Sequence, residues 1–550
     1  MDCGGIIIKS RSPMARATVA ACVLIIGTSL CRADTHYVAT NGYHNWPYTN
    51  WHDAAVSIQP AIDAASGGDA VVVSNGTYYI TACIAVTQGV TVTSLNGTTD
   101  TIVDGCNSNR CFYVCASNAA IDGFTIQNGD SDYGVLDPLM GAGGGVYCLT
   151  GTVRRCLLTK NRAWGGGGVY CHTGGRVEDC AIVDNYGGIS GGGVVVHGGT
   201  ILRCRIMRNW ALNGGGARAF YGCLIGNSTI AENMGGGPSG ILLQDTSVVH
   251  NCTITANLVT YDDECGGISC HSGGIVRNSI IYGNEGVNWQ TFTNIWPTNV
   301  ASYAYTCTTP LPPGTGNITN DPQLTPSYRL KSTSPCIDAG TASNAPLTDI
   351  DGEARWDHPW HSNGLWIVDI GADEFVDTDL DHLADCWETN WFGSVTNRDG
   401  TADGDADDLD DRGEYENSTD PGDRDTDGDR MPDGWELGNS LDPLADDADG
   451  NADSDGMDNL GEYAADTNPQ DDQSFLAITG ILSTNGGVSV WWQGGVWATQ
   501  YLECRESLLD VKGPWLTVFT NPPPTTVTTN VLDMGATDEV LFYRIRAERP

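Results

Sequence analysis

The fold is decided by residues 166–209, GGGVYCHTGGRVEDCAIVDNYGGISGGGVVVHGGTILRCRIMRN, in which one pattern is written twice. Val177, Cys180, Ile182 and Asn185 return 24 residues later as Ile201, Cys204, Ile206 and Asn209. Working outward, Cys156, Cys180, Cys204, Ser228 and Cys252 recur every 24 residues, and Ser279 follows after 27. Each is followed five residues on by Asn161, Asn185, Asn209, Asn233, Asn257 or Asn284. The same register gives Val153, Val177, Ile201, Ile225, Val249 and Val276 upstream, and Leu158, Ile182, Ile206, Ile230, Ile254 and Ile281 downstream. Apolar columns at i, i+3 and i+5 suit two strands meeting at a small bend, and the period suits one coil of a solenoid.

A second strand column fixes the register. Gly145, Gly168, Gly193, Gly216, Gly240 and Gly267 each open a short run: VYC, VYC, VVV, ARA, ILL and ISC. Alternation turns Val146, Val169, Val194, Ala217, Ile241 and Ile268 inward, with Cys148, Cys171, Val196, Ala219, Leu243 and Cys270. Like residues then stack one coil apart. The cysteines become a thiol column acting as small hydrophobes, and the asparagines a ladder bonded along the stack.

The chain of 550 residues is too long for one core. Its formal charge of -41 excludes nucleic acid and anionic membranes as default partners. Nearly half of its acid lies between Asp377 and Asp472, which marks a discrete module. Residues 1–33 read as a signal peptide, with Arg16 before the apolar run Ala17–Leu30 and Ala33 before the cut. No later stretch is long and apolar enough to be a transmembrane span. A secreted or cell-surface bacterial protein, acting as a monomer, is expected.

Residues 34–376 resemble the right-handed parallel β-helix families that include pectate lyases and polygalacturonases, and the non-enzymatic β-helix repeat proteins of bacterial surfaces. The opening THYVATNG and AIDAASGGDAVVVSNGTYYI looks like the start of such a helix, with AIDAAS as a short capping helix. The closing Ser334–Gly340 (SPCIDAG), DIDGEAR and Asp369–Glu374 (DIGADE) is similar to choice-of-anchor Q domains. That resemblance implies a surface-associated protein with no assigned chemistry.

The hydrolase elements are missing. Asp262-Asp263 and His197-Gly198-Gly199 are present, three coils apart, without Asn-Thr-Asp or Arg-Ile-Lys, whereas glycoside cleavage needs paired acids about 5–9.5 Å apart. A lyase needs a base and a cation. Lys160, Asp184, Arg208 and Glu232 share one outward column; Arg154 with Glu178, and Arg155, Asp179 and Arg203, form similar sets. Alternating charge at this spacing is a surface salt ladder, each pair worth at most about 1 kcal/mol. Lys160, Arg203, Arg208 and His197 remain the candidates for catalysis. His172 and His197 fall on adjacent coils, and outward Tyr147 and Tyr170 offer a carbohydrate-binding platform.

Calcium is the cofactor expected from the acidic module. Asp377, Asp379, Asp381, Asp385 and Glu388 occupy positions 1, 3, 5, 9 and 12 of a loop. Asp403, Asp405, Asp407, Asp411 and Glu414 repeat the spacing, as do Asp425, Asp427, Asp429, Asp433 and Glu436, and Asn451, Asp453, Asp455, Asn459 and Glu462. Such spacing folds alternate oxygens onto one hard cation and closes with a bidentate Glu. Position 7 gives its carbonyl, from Leu383, Leu409, Met431 and Met457. The module (residues 377–472) resembles EF-hand-like and thrombospondin type 3-like calcium repeats. That family places Gly at position 6, kept here only as Gly456. The resemblance implies a calcium-stiffened spacer.

Residues 473–550 turn to alternating strand patterns and suggest a small β-sandwich resembling fibronectin type III or carbohydrate-binding modules. Trp491 and Trp492 are its glycan candidates. The sequence therefore predicts an all-β chain: a right-handed parallel β-helix, calcium-binding loop repeats, then the sandwich. Its expected function is an exported, non-catalytic calcium-binding surface protein whose partner is polysaccharide or another cell-surface component. The alternative is a polysaccharide lyase or glycoside hydrolase acting on an acidic polysaccharide.

Overall fold

The computed structural model describes residues 33–131, 141–261, 265–286, 294–296, 300–360, 368–507, 514–534 and 540–549. The signal-peptide reading through residue 32 and the pair Asp262-Asp263 lie outside these residues.

One coil shows how the repeat folds. Strands Val169–His172, Gly175–Glu178, Ala181–Val183 and Tyr186–Ser190 follow in order, and each pairs in parallel with its equivalent in the next coil. The register runs Val146, Val169, Val194, Ala217, Ile241, Ile268, Ile295 through a nine-stranded sheet. All of these inward residues are fully buried, as are Cys148, Cys171 and Cys270. Burial pushes the Cys252 thiol up to about 12, so this sulfur is apolar filling rather than a reactive thiol.

The bend between the two strands of the longest sheet is a left-handed residue. Arg155, Asp179, Arg203, Asn227, Asn251 and Asn278 all take φ between 45° and 55°. A second left-handed column, Lys160, Asp184, Arg208 and Glu232, precedes the asparagine ladder. The ladder forms as the spacing predicts. Each Asn Nδ2 donates to the next Oδ1, at 3.0 Å for Asn185 to Asn209 and 2.8 Å for Asn257 to Asn284. It continues to Asn294, ten residues beyond Asn284, at 3.0 Å. The facing glycines leave it room: a Cβ at Gly193 would lie 2.8 Å from Asn209 Nδ2.

Helix α1 (Ile58–Ala64) closes the first end. In the later coils the left-handed column changes from charged residues to Asn because the closing segment lies across it. Asn278 donates to the Thr341 carbonyl at 2.8 Å and accepts from its amide at 2.9 Å; Asn251 reaches the Asp369 carbonyl at 3.3 Å. Within that segment, Asp369 caps the amides of Asp338 and Phe375, and Arg355 pairs with buried Glu374 at 2.6 Å.

Helices α2 (Asp385–Phe392), α3 (Asp411–Asn417), α4 (Asp433–Gly438) and α5 (Asn459–Ala465) belong to the acidic module. Its first half shares a core with the β-helix end: Leu383, Ala384 and Tyr415 pack with Leu330, Cys336, Ile370 and Phe375. Its second half meets the C-terminal region, where Asp466 accepts from the amides of Val496 and Trp497. The module thus contacts the β-helix end through its first half and the C-terminal region through its second. Two three-stranded antiparallel sheets make up the C-terminal region.

Candidate functional site

The four acidic loops are geometric copies. The first residue folds back over the amides of positions 4 to 6: Asp377 accepts from Leu380 at 2.7 Å and His382 at 3.0 Å, and Asp425 from Gly428 at 2.9 Å and Arg430 at 2.8 Å. Position 4 has positive φ in every loop (Leu380, Ala406, Gly428, Ser454), and so does position 6 (His382, Asp408, Arg430, Gly456). The missing glycines thus do not change the path; three side chains hold a left-handed conformation at some energetic cost.

This path gathers oxygen. Carboxylate atoms of Asp377, Asp379 and Asp381 lie within 4.8 Å of one another, as do those of Asp403, Asp405 and Asp407, and of Asp425, Asp427 and Asp429. The closing glutamates Glu388, Glu414, Glu436 and Glu462 are all buried, at 1 % exposure or less. Neither oxygen of Glu388, Glu436 or Glu462 has a hydrogen-bond partner, and neither does Glu414 Oε1. Without a cation, burial first and then the neighbouring aspartates push Glu388 up to about 8 and Glu436 up to about 9. Buried carboxylates are ordinarily paired or metal-bound. An all-oxygen set with buried, unpartnered carboxyl oxygens fits calcium, and the residues that would hold it are those at positions 1, 3, 5 and 12 with the position 7 carbonyl.

Position 9 departs from the sequence reading. Asp385 and Asp433 accept from the amides of Thr378 and Thr426 at 2.8 and 2.9 Å. Asp411 pairs with Arg398 at 2.6 Å, and Asn459 donates to Asp447 at 3.0 Å. Asp433, assigned by spacing to the third loop, has its carboxylate grouped with Asp407 and Glu414 of the second.

The catalytic candidates are dispersed. Arg203 pairs with Asp179 at 2.6 Å; Arg208 pairs with Asp184 at 3.0 Å and Glu232 at 3.4 Å, forming the expected ladder. Lys160 is an exposed corner of that column. Arg154 is a correction: it bonds Asp122 at 2.9 Å, while Glu178 takes Arg176 at 2.6 Å. Asp122 pairs in register with Arg154 on the other side, and its burial leaves it the more demanding partner. His197 stands on the nine-stranded sheet, apart from these arginines, with its ring 4.3 Å from that of His172. Burial and His172 lower its pKa, favouring the neutral ring.

Two glycan candidates are corrected. Tyr147 is 6 % exposed, because its ring stacks on Tyr170 at 5.1 Å and meets the tilted ring of Tyr113 at 5.8 Å; coil spacing brings such rings together. Trp492 is fully buried and donates to Gln500 at 2.8 Å, whereas Trp491 stays partly exposed.

Sequence reasoning missed a third sheet and the row along it. The residue after each ladder Asn gives Arg162, Tyr186, Trp210 and Met234, paired coil to coil. Tyr186 and Trp210 stack at 4.7 Å and 8°, Arg162 lies over Tyr186, and Trp164 beside them is 54 % exposed. The same 24-residue period would have found it. A cleft of about 660 Å³ was also missed; Arg205, Tyr328, Arg329, Trp387 and Trp391 line it between the β-helix and α2. It joins elements far apart in the chain.

With a parallel solenoid, its inward columns and its ladder described, one comparison decides the class. Residues 144–300 match the family described as right handed beta helix region. The pectate lyase Pel9A is similar at 14 % identity over 63 % of this chain and 97 % of its own, with a TM-score of 0.39. The Escherichia coli protein ybhc follows at 10 % identity, 51 % and 78 % coverage and a TM-score of 0.25. A pectin methylesterase in complex with a hexasaccharide has 12 % identity, 62 % and 93 % coverage and a TM-score of 0.20. No curated protein matches the chain. Among the described residues, no helix of this β-helix chain is long and apolar enough to cross a membrane.

Proposed function

We propose that this chain is an exported, calcium-binding surface protein whose β-helix binds polysaccharide without cleaving it. The observation that carries the calcium part is the set of four buried closing glutamates, whose carboxylate oxygens lack partners except for Glu414 Oε2. Export rests on the N-terminal sequence alone. Calcium would neutralise the acids of each loop and tie it to its helix, joining the β-helix to the C-terminal sheets.

The glycan part rests on exposed Trp164 and Tyr186 with half-buried Trp210 stacked on Tyr186, whose apolar rings and adjacent Arg162 suit sugar faces and their hydroxyl or acidic groups. Arg203 and Arg208 are held in ion pairs, which favours binding over elimination. The enzymatic reading draws on the cleft at Arg205 and Arg329.

The test has three parts. Calorimetry should record calcium uptake by the full chain. Retention on immobilised polysaccharides should fall at least about tenfold in Trp164→Ala/Trp210→Ala, the loss expected for two stacking contacts. Reducing-end release should not exceed that of a calcium-stripped control. Release above that control would replace binding with cleavage.

A further inference from the structure

The second and third acidic loops touch in a way their sequences do not announce. A carboxylate oxygen of Asp433 lies within 4.8 Å of those of Asp407 and Glu414, although 26 residues separate Asp433 from Asp407. All three side chains are buried, at 3 % exposure or less. Glu414 Oε1 has no hydrogen-bond partner while its Oε2 takes the Thr419 hydroxyl, and neither oxygen of neighbouring Asp405 has a partner. The second loop's own ninth residue, Asp411, gives an oxygen to Arg398. The contact is tight: the Gly434 amide donates to Asp407 Oδ2 at 3.0 Å, and a Cβ on Gly434 would lie 2.5 Å from the Asp407 carbonyl oxygen.

We infer that the second loop's cation is completed across the repeat boundary by Asp433, so that the second and third loops form one two-ion unit. The inference rests on the calcium reading above and adds a ligand that spacing assigns elsewhere. Ligand charge sets calcium affinity, so occupancy of the second loop depends on α4 being seated.

The test is calcium calorimetry on the full chain with the third loop disabled by Asp425→Asn/Asp427→Asn. In that background Asp433→Asn should weaken one remaining site by at least about tenfold, the scale of losing a charged ligand. Gly434→Ala, which removes no ligand, should weaken the same site by parting the two loops. Asp385→Asn, the matching position of the first loop, should leave that site unchanged and controls for loss of the threonine bond. Unaltered affinity on Asp433→Asn, with the remaining sites still filling, would overturn the cross-boundary ligand and leave the calcium reading standing. No uptake by the unsubstituted chain would overturn both. Far-UV circular dichroism identifies a variant that fails to fold, and Gly434→Ala then decides the question alone.

Discussion

The β-helix and the acidic module both repeat a short unit, yet they handle buried polarity in opposite ways. In the β-helix each buried Asn meets its equivalent one coil away, donor against acceptor, and the ladder satisfies itself. In the module the buried glutamates meet other acids, and their oxygens, Glu414 Oε2 excepted, are left without donors. A neutral amide carries both halves of a hydrogen bond; a carboxylate carries one. Stacking therefore completes the first repeat, while on the calcium reading proposed above a cation completes the second.

The largest break of that contrast should come from a calcium chelator. Limited proteolysis should then open the chain within 377–472 at least about tenfold faster, while the β-helix keeps its protection. Equal protection of both regions would contradict the difference. Next in size is Asn209→Ala. It removes an acceptor for two donors of Asn185 and a donor to Asn233, and should lower unfolding free energy by about 3 kcal/mol in denaturant titration. Asp184→Asn, on the exposed ladder, should change it by less than about 1 kcal/mol.

Glu436→Gln should act with opposite signs. Without calcium it replaces a buried, unpartnered carboxyl that folding must keep protonated and should raise the module's thermal midpoint; with calcium it should lower affinity about tenfold. A single sign in both conditions would show that Glu436 does not face a cation.

The pH response extends the comparison to the closing segment, where burial pushes Asp338 and Asp349 up to about 7 and Glu353 up to about 8. These acids hold protons in the folded chain that the unfolded chain releases near pH 4. Their contribution is fully present below that pH and is lost as pH rises toward 8. With calcium saturating, the thermal midpoint should fall from pH 5 to pH 8, and Asp349→Asn should flatten the slope. The smallest effect should come from Arg430→Gly, which relieves a left-handed side chain (φ 81°) and should tighten calcium binding by about 0.5–1 kcal/mol in calorimetry.

The sequence makes the coil register legible because stacking repeats like residues at fixed spacing. Val177, Ile201 and Asn209 could be placed without coordinates, and so could the positions along each acidic loop. Contacts between remote segments could not be placed. The Asn251 bond to the Asp369 carbonyl spans 118 residues, and Asp433 reaches backward into another loop. Tyr147 was misjudged because alternation gives a side chain's direction, not what its neighbour in the stack covers. Trp492 shares a strand with exposed Trp491, and pairing within one small sheet decides which of the two is enclosed.

The asparagine ladder also bears on how such a chain can change length. Every rung offers the next the same amide, so a rung has no means of recognising which neighbour it has. Excising residues 186–209 would join Asn185 to Trp210 in register and return Asn233 as the next rung. Whole coils can be gained or lost by copying or deleting one unit, with the two ends keeping their own fittings. Reach, for this architecture, is counted in copies rather than redesigned.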